Sequence, residues 1–214
     1  RFPWPRPWPN GVQLSFVPNP NSPTGTIVPP EHVAGLATAV DPAPLVLDEA
    51  YADFAGWNGL DLLEHLPNLI ITRTLSKSYS LAGIRFGFAI AQPDIIRELL
   101  KVKDSYNCDV LSLAAATAAI EDQEYFQVVR AKIIATRERM QPALTELGFD
   151  VTPSHANFVW CRRADRPVKP IYEELKARKI LVRYMNYDGY DGLRISVGTD
   201  AEIDKLLIEL KAIL

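Results

Sequence analysis

Lys77 stands among the hydroxyls of Thr74, Ser76, Ser78 and Ser80, and Arg85 follows eight residues later, in the segment TLSKSYSLAGIRFG. Lysine is the side chain that forms a Schiff base with a carbonyl compound. Hydroxyls together with an arginine make a phosphate clamp, and Gly83 and Gly87 let the backbone turn tightly or approach a ligand. An ordinary solvated loop explains this density of Ser, Lys and Arg poorly, because the cluster directly follows an apolar run. A second group is LDEAY, with Asp48 at the end of another apolar run and Tyr51 three residues on. A carboxylate at the end of a buried strand is costly unless paired, so Asp48 is expected to face a cation or several donors; an ion pair or a helix cap would satisfy it equally. A third is NPNSPTG, where Asn21 offers an amide that both donates and accepts, although Asn, Pro and Gly also make ordinary turns.

Each group follows a short run of β-forming residues. In open α/β sheets, ligands bind beyond the carboxyl ends of the strands, so the three are expected near one crevice. A Schiff-base amine, an acid and a phosphate grip together suit an aromatic aldehyde that carries a phosphate.

The elements that must hold these groups alternate along the chain. Strands are expected over residues 12–17, from residue 44 to the acids of LDEAY, and over 68–74 and 84–91, with helices over 30–40, 60–65, 94–102, 110–121 and 124–147. Pro142 predicts a kink or short break in the last of these, and Gly148 a C-cap. Continuous apolar strands separated by helices predict an α/β chain with a mostly parallel sheet covered on both faces. A smaller α+β region follows: strand 158–161, helix 168–178, strands 180–182 and 193–197, helix 201–213. Two domains are expected, residues 1–121 and 122–214. The first ten residues, RFPWPRPWPN, read as an extended surface connector.

Composition removes several classes. A net charge of -3 gives no sign of a nucleic-acid partner. His32, His65 and His155 are scattered, and Cys108 and Cys161 are too few for a zinc site or a disulfide framework; a reducing, cytoplasmic setting is the expectation. No apolar run approaches the roughly 18 residues of a membrane span, and no glycine-rich fingerprint of a nucleotide-binding module follows a predicted strand.

NPNSPTG, DEAY and SK with GIR, in this order and spacing, resemble the fold-type-I aminotransferases, over nearly the whole chain after Asn10. VKDSYN, SHANF and LRISVGT are similar to the histidinol-phosphate aminotransferase branch. The resemblance implies pyridoxal 5'-phosphate as cofactor, held by Lys77 as a Schiff base. Asp48 would pair with the ring nitrogen, Asn21 and Tyr51 would bond the ring's 3′ oxygen, and Thr74, Ser76 and Arg85 would bind the phosphate. Arg194 would grip the substrate carboxylate, and Asn157 would help orient that arginine or the substrate. Arg183 is a candidate for the substrate's distal phosphate, and Tyr106 and Asn107 for the substrate end. The implied reaction moves an amino group from glutamate to imidazole-acetol phosphate in histidine biosynthesis, in a homodimer with no nucleic-acid or membrane partner. Another member of the superfamily, such as threonine-phosphate decarboxylase or an aromatic aminotransferase, would share the cofactor residues. The chain lacks the upstream part of the large domain on which the family relies for a phosphate-capping turn, a ring-stacking aromatic and a tyrosine that crosses the dimer. By itself it is expected to bind cofactor poorly, and a non-catalytic remnant is the reading from outside the enzyme class.

Overall fold

The computed structural model describes residues 11–187 and 189–214. The connector expected over residues 1–10 lies outside them. The chain divides into two compact units. One takes in the chain through Asn19, Val28–Ala52 and Trp57–Glu121; the other takes in Pro20–Ile27, Asp53–Gly56 and Asp122–Leu214.

The first unit is built on a four-stranded sheet in the order β1 (Ser15–Pro18), β2 (Leu45–Asp48), β3 (Leu69–Thr74) and β4 (Gly87–Ala91). The first three strands are parallel and β4 is antiparallel to β3. Helix α1 (Pro30–Val40) begins with Pro30 in its first turn, where the missing N–H costs nothing. Its buried residues Val33, Leu36, Ala37 and Val40 recur at helical spacing and form one core with Val17, Leu45, Leu47, Leu69 and Ile71. Asn68 closes the bottom of this core, donating from its amide to Ala37 O at 2.8 Å and Ala43 O at 2.9 Å. Helices α2 (Pro93–Val102) and α3 (Val110–Glu121) complete the unit.

Two strand limits differ from the sequence expectation. β1 begins at Ser15 rather than residue 12, because its partner β2 begins only after Pro44, which has no amide to add to the ladder. β4 begins at Gly87 rather than residue 84. Residues Ala82–Ile84 form a 3-10 turn, and Arg85 adopts a left-handed φ of 55°, so the chain reverses first. Gly87 is required where β4 meets β3, since a Cβ there would lie 2.8 Å from Arg73 O. The short helix expected over 60–65 is a 3-10 helix, Leu60–Glu64.

The second unit carries an antiparallel sheet in the order β5 (Asp150–Thr152), β6 (Phe158–Arg162), β8 (Tyr190–Ser196) and β7 (Arg183–Tyr187). Its helices are α4 (Gln123–Glu146), α5 (Lys169–Ala177) and α6 (Asp200–Ile213). Side chains alternate across a strand. Val159 and Cys161 of β6, with Leu193 and Ile195 of β8, therefore share one face, and they join Met140, Leu144, Ile171, Leu175, Leu206 and Leu210 from the helices in a single core. Phe158 and Trp160 project from the other face of β6, as does Arg194 from β8.

α4 runs through Pro142 without a break, because losing one amide from a 24-residue ladder leaves the packed face intact. It ends as expected at Gly148, whose φ is +83°, with Phe149 N donating to Leu144 O. The strand expected over 180–182 is displaced to β7, starting at Arg183. Ile180 N is still tied to Leu175 O of α5, and Ile180 and Val182 pack on the core without joining the ladder. β5 was not anticipated. At α6, Thr199 and Glu202 form a reciprocal capping box. Among the described residues no helix is long and apolar enough to cross a membrane, and no cluster of His, Cys, Asp and Glu could hold a metal.

Candidate functional site

Lys77 lies in the compact loop between β3 and β4. Leu75 N donates to Phe86 O at 3.2 Å and Leu81 N to Leu75 O at 3.0 Å, while Ser80 N closes a turn onto Lys77 O at 3.1 Å. Leu75 and Ser78 are buried, and Ser112 of α3 fastens the far side of the loop by donating to Ile84 O at 3.0 Å. Thr74 Oγ1 donates to Ser76 Oγ at 2.9 Å and accepts from Ser76 N, which brings the two expected phosphate-binding hydroxyls together. The Lys77 Nζ sits over the ring of Tyr51, 5.5 Å from its centroid. The loop after β3 and the turn after β2 therefore meet at one place within the first unit. Arg85 is exposed and donates to Ala82 O at 2.9 Å, a contact within its own turn.

The acid after β2 differs from expectation. Asp48 is exposed, and its Oδ1 accepts from Ala50 N at 3.1 Å, which is the capping alternative. The buried carboxylate is the next residue, Glu49, 2% exposed. Glu49 Oε2 accepts from Arg73 Nε at 2.8 Å and lies 2.6 Å from Nη2 in the same ion pair, and its Oε1 accepts from Gly59 N at 2.5 Å. Burial falls one residue later than the sequence suggests: the apolar face of β2 carries Leu45, Leu47 and then Glu49, whereas Asp48 belongs to the opposite face.

In the second unit the loop Pro20–Ile27 is self-bonded. Asn21 N donates to Thr26 O, and its amide donates to Thr24 Oγ1 at 2.7 Å. Gly25 (φ +74°) has no room for a side chain, because a Cβ would lie 2.2 Å from Ser154 Oγ. Arg194 donates from Nη1 to Ser22 Oγ at 3.0 Å, and its guanidinium lies over the Phe158 ring at 5.0 Å. Its Nε is buried and has no hydrogen-bond partner among the described residues. Arg183 is directly opposite Arg194 in the β7–β8 pairing. Asn157 holds the strand by accepting Val197 N at its carbonyl, and Arg194 donates to Ser22 rather than to Asn157. Back in the first unit, Tyr106 is 92% exposed and Asn107 accepts from Lys103 Nζ at 3.3 Å, so neither lines a formed pocket in this chain.

Sequence reasoning missed Arg130 and Arg137 of α4. Two turns apart on one helix face, they capture three successive carbonyls: Arg130 binds Asp53 O and Ala55 O, and Arg137 Nη1 binds Phe54 O at 3.1 Å and Ala156 O at 3.0 Å. Arg137 is buried without a carboxylate, and burial, the larger cause, lowers its pKa. Burial first and the Arg137 charge second hold neighbouring His155 below the usual histidine range. A charged residue on the same stripe as Met140 and Leu144 was the available sign; its backbone partners have no signature in sequence.

The sequence family described as aminotransferase class I and II matches residues 9–210. The histidinol-phosphate aminotransferase of Rhodopirellula baltica is 56% identical over 201 residues, covering 94% of this chain and 55% of the relative. That of Syntrophotalea carbinolica is 51% identical over 199 residues, covering 92% and 57%. The crystal structure of histidinol-phosphate aminotransferase from Sinorhizobium meliloti in complex with pyridoxal-5'-phosphate superposes with a TM-score of 0.86 at 32% identity, covering 94% of this chain and 57% of that one. The chain thus spans little more than half the length of the curated relatives it matches.

Proposed function

The chain belongs to the class I and II aminotransferases, and from that premise we propose that it serves pyridoxal-phosphate-dependent amino transfer from glutamate to imidazole-acetol phosphate, yielding histidinol phosphate in histidine biosynthesis. The observation that carries this reading is the Lys77 amine in the loop after β3, 5.5 Å from the ring centre of Tyr51 in the turn after β2. The first unit's donor set of amine, paired hydroxyls and guanidinium fits an anionic ligand with a carbonyl carbon. In the second unit, the buried and unbonded Nε of Arg194 fits an anion that accepts from a guanidinium edge.

When bound, pyridoxal phosphate supplies an electron sink for the charge left on the substrate's α-carbon. Lys77 Nζ would hold the cofactor at its carbonyl carbon, and the same amine would serve as the base for the substrate's α-proton. Asp48 would pair with the ring nitrogen, where an adjacent anion favours the protonated ring. Tyr51 would bond the ring oxygen, as the family resemblance also implies for Asn21, and Thr74, Ser76 and Arg85 would hold the phosphate. Arg194 grips the substrate carboxylate through two parallel bonds, with Asn157 orienting it and Arg183 taking a distal phosphate. Residues 1–121 would belong to the cofactor domain and 122–214 to the small domain, in a homodimer.

The test uses the protein at its natural length. Borohydride reduction of the yellow form should bleach it and leave the cofactor's mass on the Lys77 peptide, and histidinol phosphate with 2-oxoglutarate should give glutamate. Label on a different lysine, or faster release of carbon dioxide from threonine phosphate than amino transfer, would move the assignment elsewhere in the superfamily; a colourless, inert protein would end it.

A further inference from the structure

We propose that Glu49 and Arg73 are positioning residues, which set from behind the sheet the strand ends that carry Asp48 and Thr74; the inference rests on the amino-transfer reading above. β2 and β3 pair in register with Asp48 opposite Thr72, and Glu49 N extends the ladder by donating to Thr72 O at 3.0 Å. Because side chains alternate, Asp48, Thr72 and Thr74 share one face, while Leu47, Glu49, Ile71 and Arg73 share the other. On that other face the Glu49 side chain is fully buried and the Arg73 side chain is 15% exposed. Two guanidinium nitrogens reach one carboxylate oxygen, and the second oxygen takes Gly59 N at 2.5 Å. The carboxylate thereby ties three chain segments at one point: the residue after Asp48, the residue before Thr74, and the turn at Gly59. That turn is closely packed, since a Cβ on Gly59 would lie 2.6 Å from Leu47 Cδ2 and 3.3 Å from both Glu49 Oε1 and Ile71 Cδ1, so a larger residue there would displace these side-chain ends.

A buried ion pair is a poor way to gain stability, because desolvation offsets most of the attraction, and an apolar pair of similar volume often does as well. What an apolar pair does not reproduce is a directional tie that fixes the offset of β2 against β3. Placement at this level matters, since an error of about 1 Å in a reactive group can cost about a hundredfold in rate. Arg73 therefore acts through Thr74 and the loop that holds Lys77, and Glu49 through Asp48; neither is placed to touch cofactor or substrate.

The experiment compares natural-length wild type with Glu49→Met/Arg73→Leu and with the isosteric Glu49→Gln. The readouts are the melting temperature of the cofactor-free protein, the cofactor dissociation constant, and the pH midpoint of the yellow absorbance band. We expect the double variant to melt close to wild type, yet to bind cofactor about tenfold to a hundredfold more weakly and to titrate at a displaced midpoint. Glu49→Gln, which keeps the shape and the Gly59 contact, should show the same spectroscopic displacement in smaller measure. Wild-type affinity and midpoint in a folded double variant, or in Glu49→Gln should the double variant not fold, would overturn the positioning role and leave the amino-transfer reading standing. A wild type without the band would remove both.

Discussion

Arg183 and Arg194 face one another across β7 and β8, so two guanidinium side chains leave a single cross-strand pair on one face of the second unit's sheet. Like charges directly opposite each other destabilise a sheet, and among the described residues no carboxylate pairs with either arginine. A bound anion would relieve the arrangement. Inorganic phosphate should raise the melting temperature of the protein, in a salt-competed manner. Arg183→Thr should raise the stability of the ligand-free protein by about 0.2–1 kcal/mol while shrinking the response to phosphate. Calorimetry with and without phosphate checks both signs. An equal phosphate response in the variant would exclude Arg183 from the anion site.

Tyr51 offers Lys77 both a ring face and a hydroxyl, and substitution separates them. Tyr51→Phe keeps the ring 5.5 Å from Nζ and should fold normally, yet lose about tenfold or more in amino transfer as the hydroxyl is removed. Lys77→Ala should abolish turnover and the borohydride-sensitive colour together. Steady-state rates and spectra of the two variants check the pair. A Tyr51→Phe enzyme with full activity would assign the hydroxyl no part in the chemistry.

The parts of the site legible in sequence are those made by local chemistry at strand ends. The Lys77 loop could be recognised because Thr74, Ser76, Lys77 and Arg85 lie within one short stretch, and the loop brings Thr74 and Ser76 into contact as that spacing suggests. The exchange of Asp48 for Glu49 as the buried acid was not legible, because an apolar run of three gives no parity: Leu45, Val46 and Leu47 are all buried. Only the pairing with β3 shows which face continues inward. β7 was misplaced for a related reason. Ile180 and Val182 carry strand-like apolarity, yet they spend it packing against the core after the reversal at Lys179, whose φ is 62°. Arg130 and Arg137 bind carbonyls of Asp53, Phe54, Ala55 and Ala156, all distant in sequence, and a carbonyl is present in every residue, so nothing in the sequence marks the recipient.

The two cysteines should differ sharply in reactivity. Burial in the core of the second unit pushes the Cys161 thiol up to about 12, so at pH 8 it carries almost no thiolate, the reactive form. Cys108 is only half-buried. A thiol reagent applied to the native protein at pH 8 should label one cysteine, Cys108, and reach Cys161 only after denaturation. Peptide mapping of the labelled sites checks this. Prompt labelling of Cys161 in the native protein would mean that the β6 core opens readily.

Arg137 and His155 couple the second unit's stability to pH. The folded His155 titrates below its ordinary value of 6.5, because burial and then the positive charge of Arg137 disfavour the imidazolium. The unfolded chain takes up this proton more readily than the folded one. The contribution is therefore fully present above about pH 6.5 and is lost as pH falls below that value toward the folded midpoint. His155→Gln should flatten the acid limb of the stability profile by that one group. Arg137→Met should return the His155 midpoint only part of the way, since burial is the larger cause. It should also cost about 2–4 kcal/mol, because Phe54 O and Ala156 O each lose a buried donor. Titration of the His155 ring protons by NMR, with denaturant melts across the same pH range, separates the two effects. A His155 midpoint at or above 6.5 in the wild type would show that the guanidinium does not bear on the imidazole.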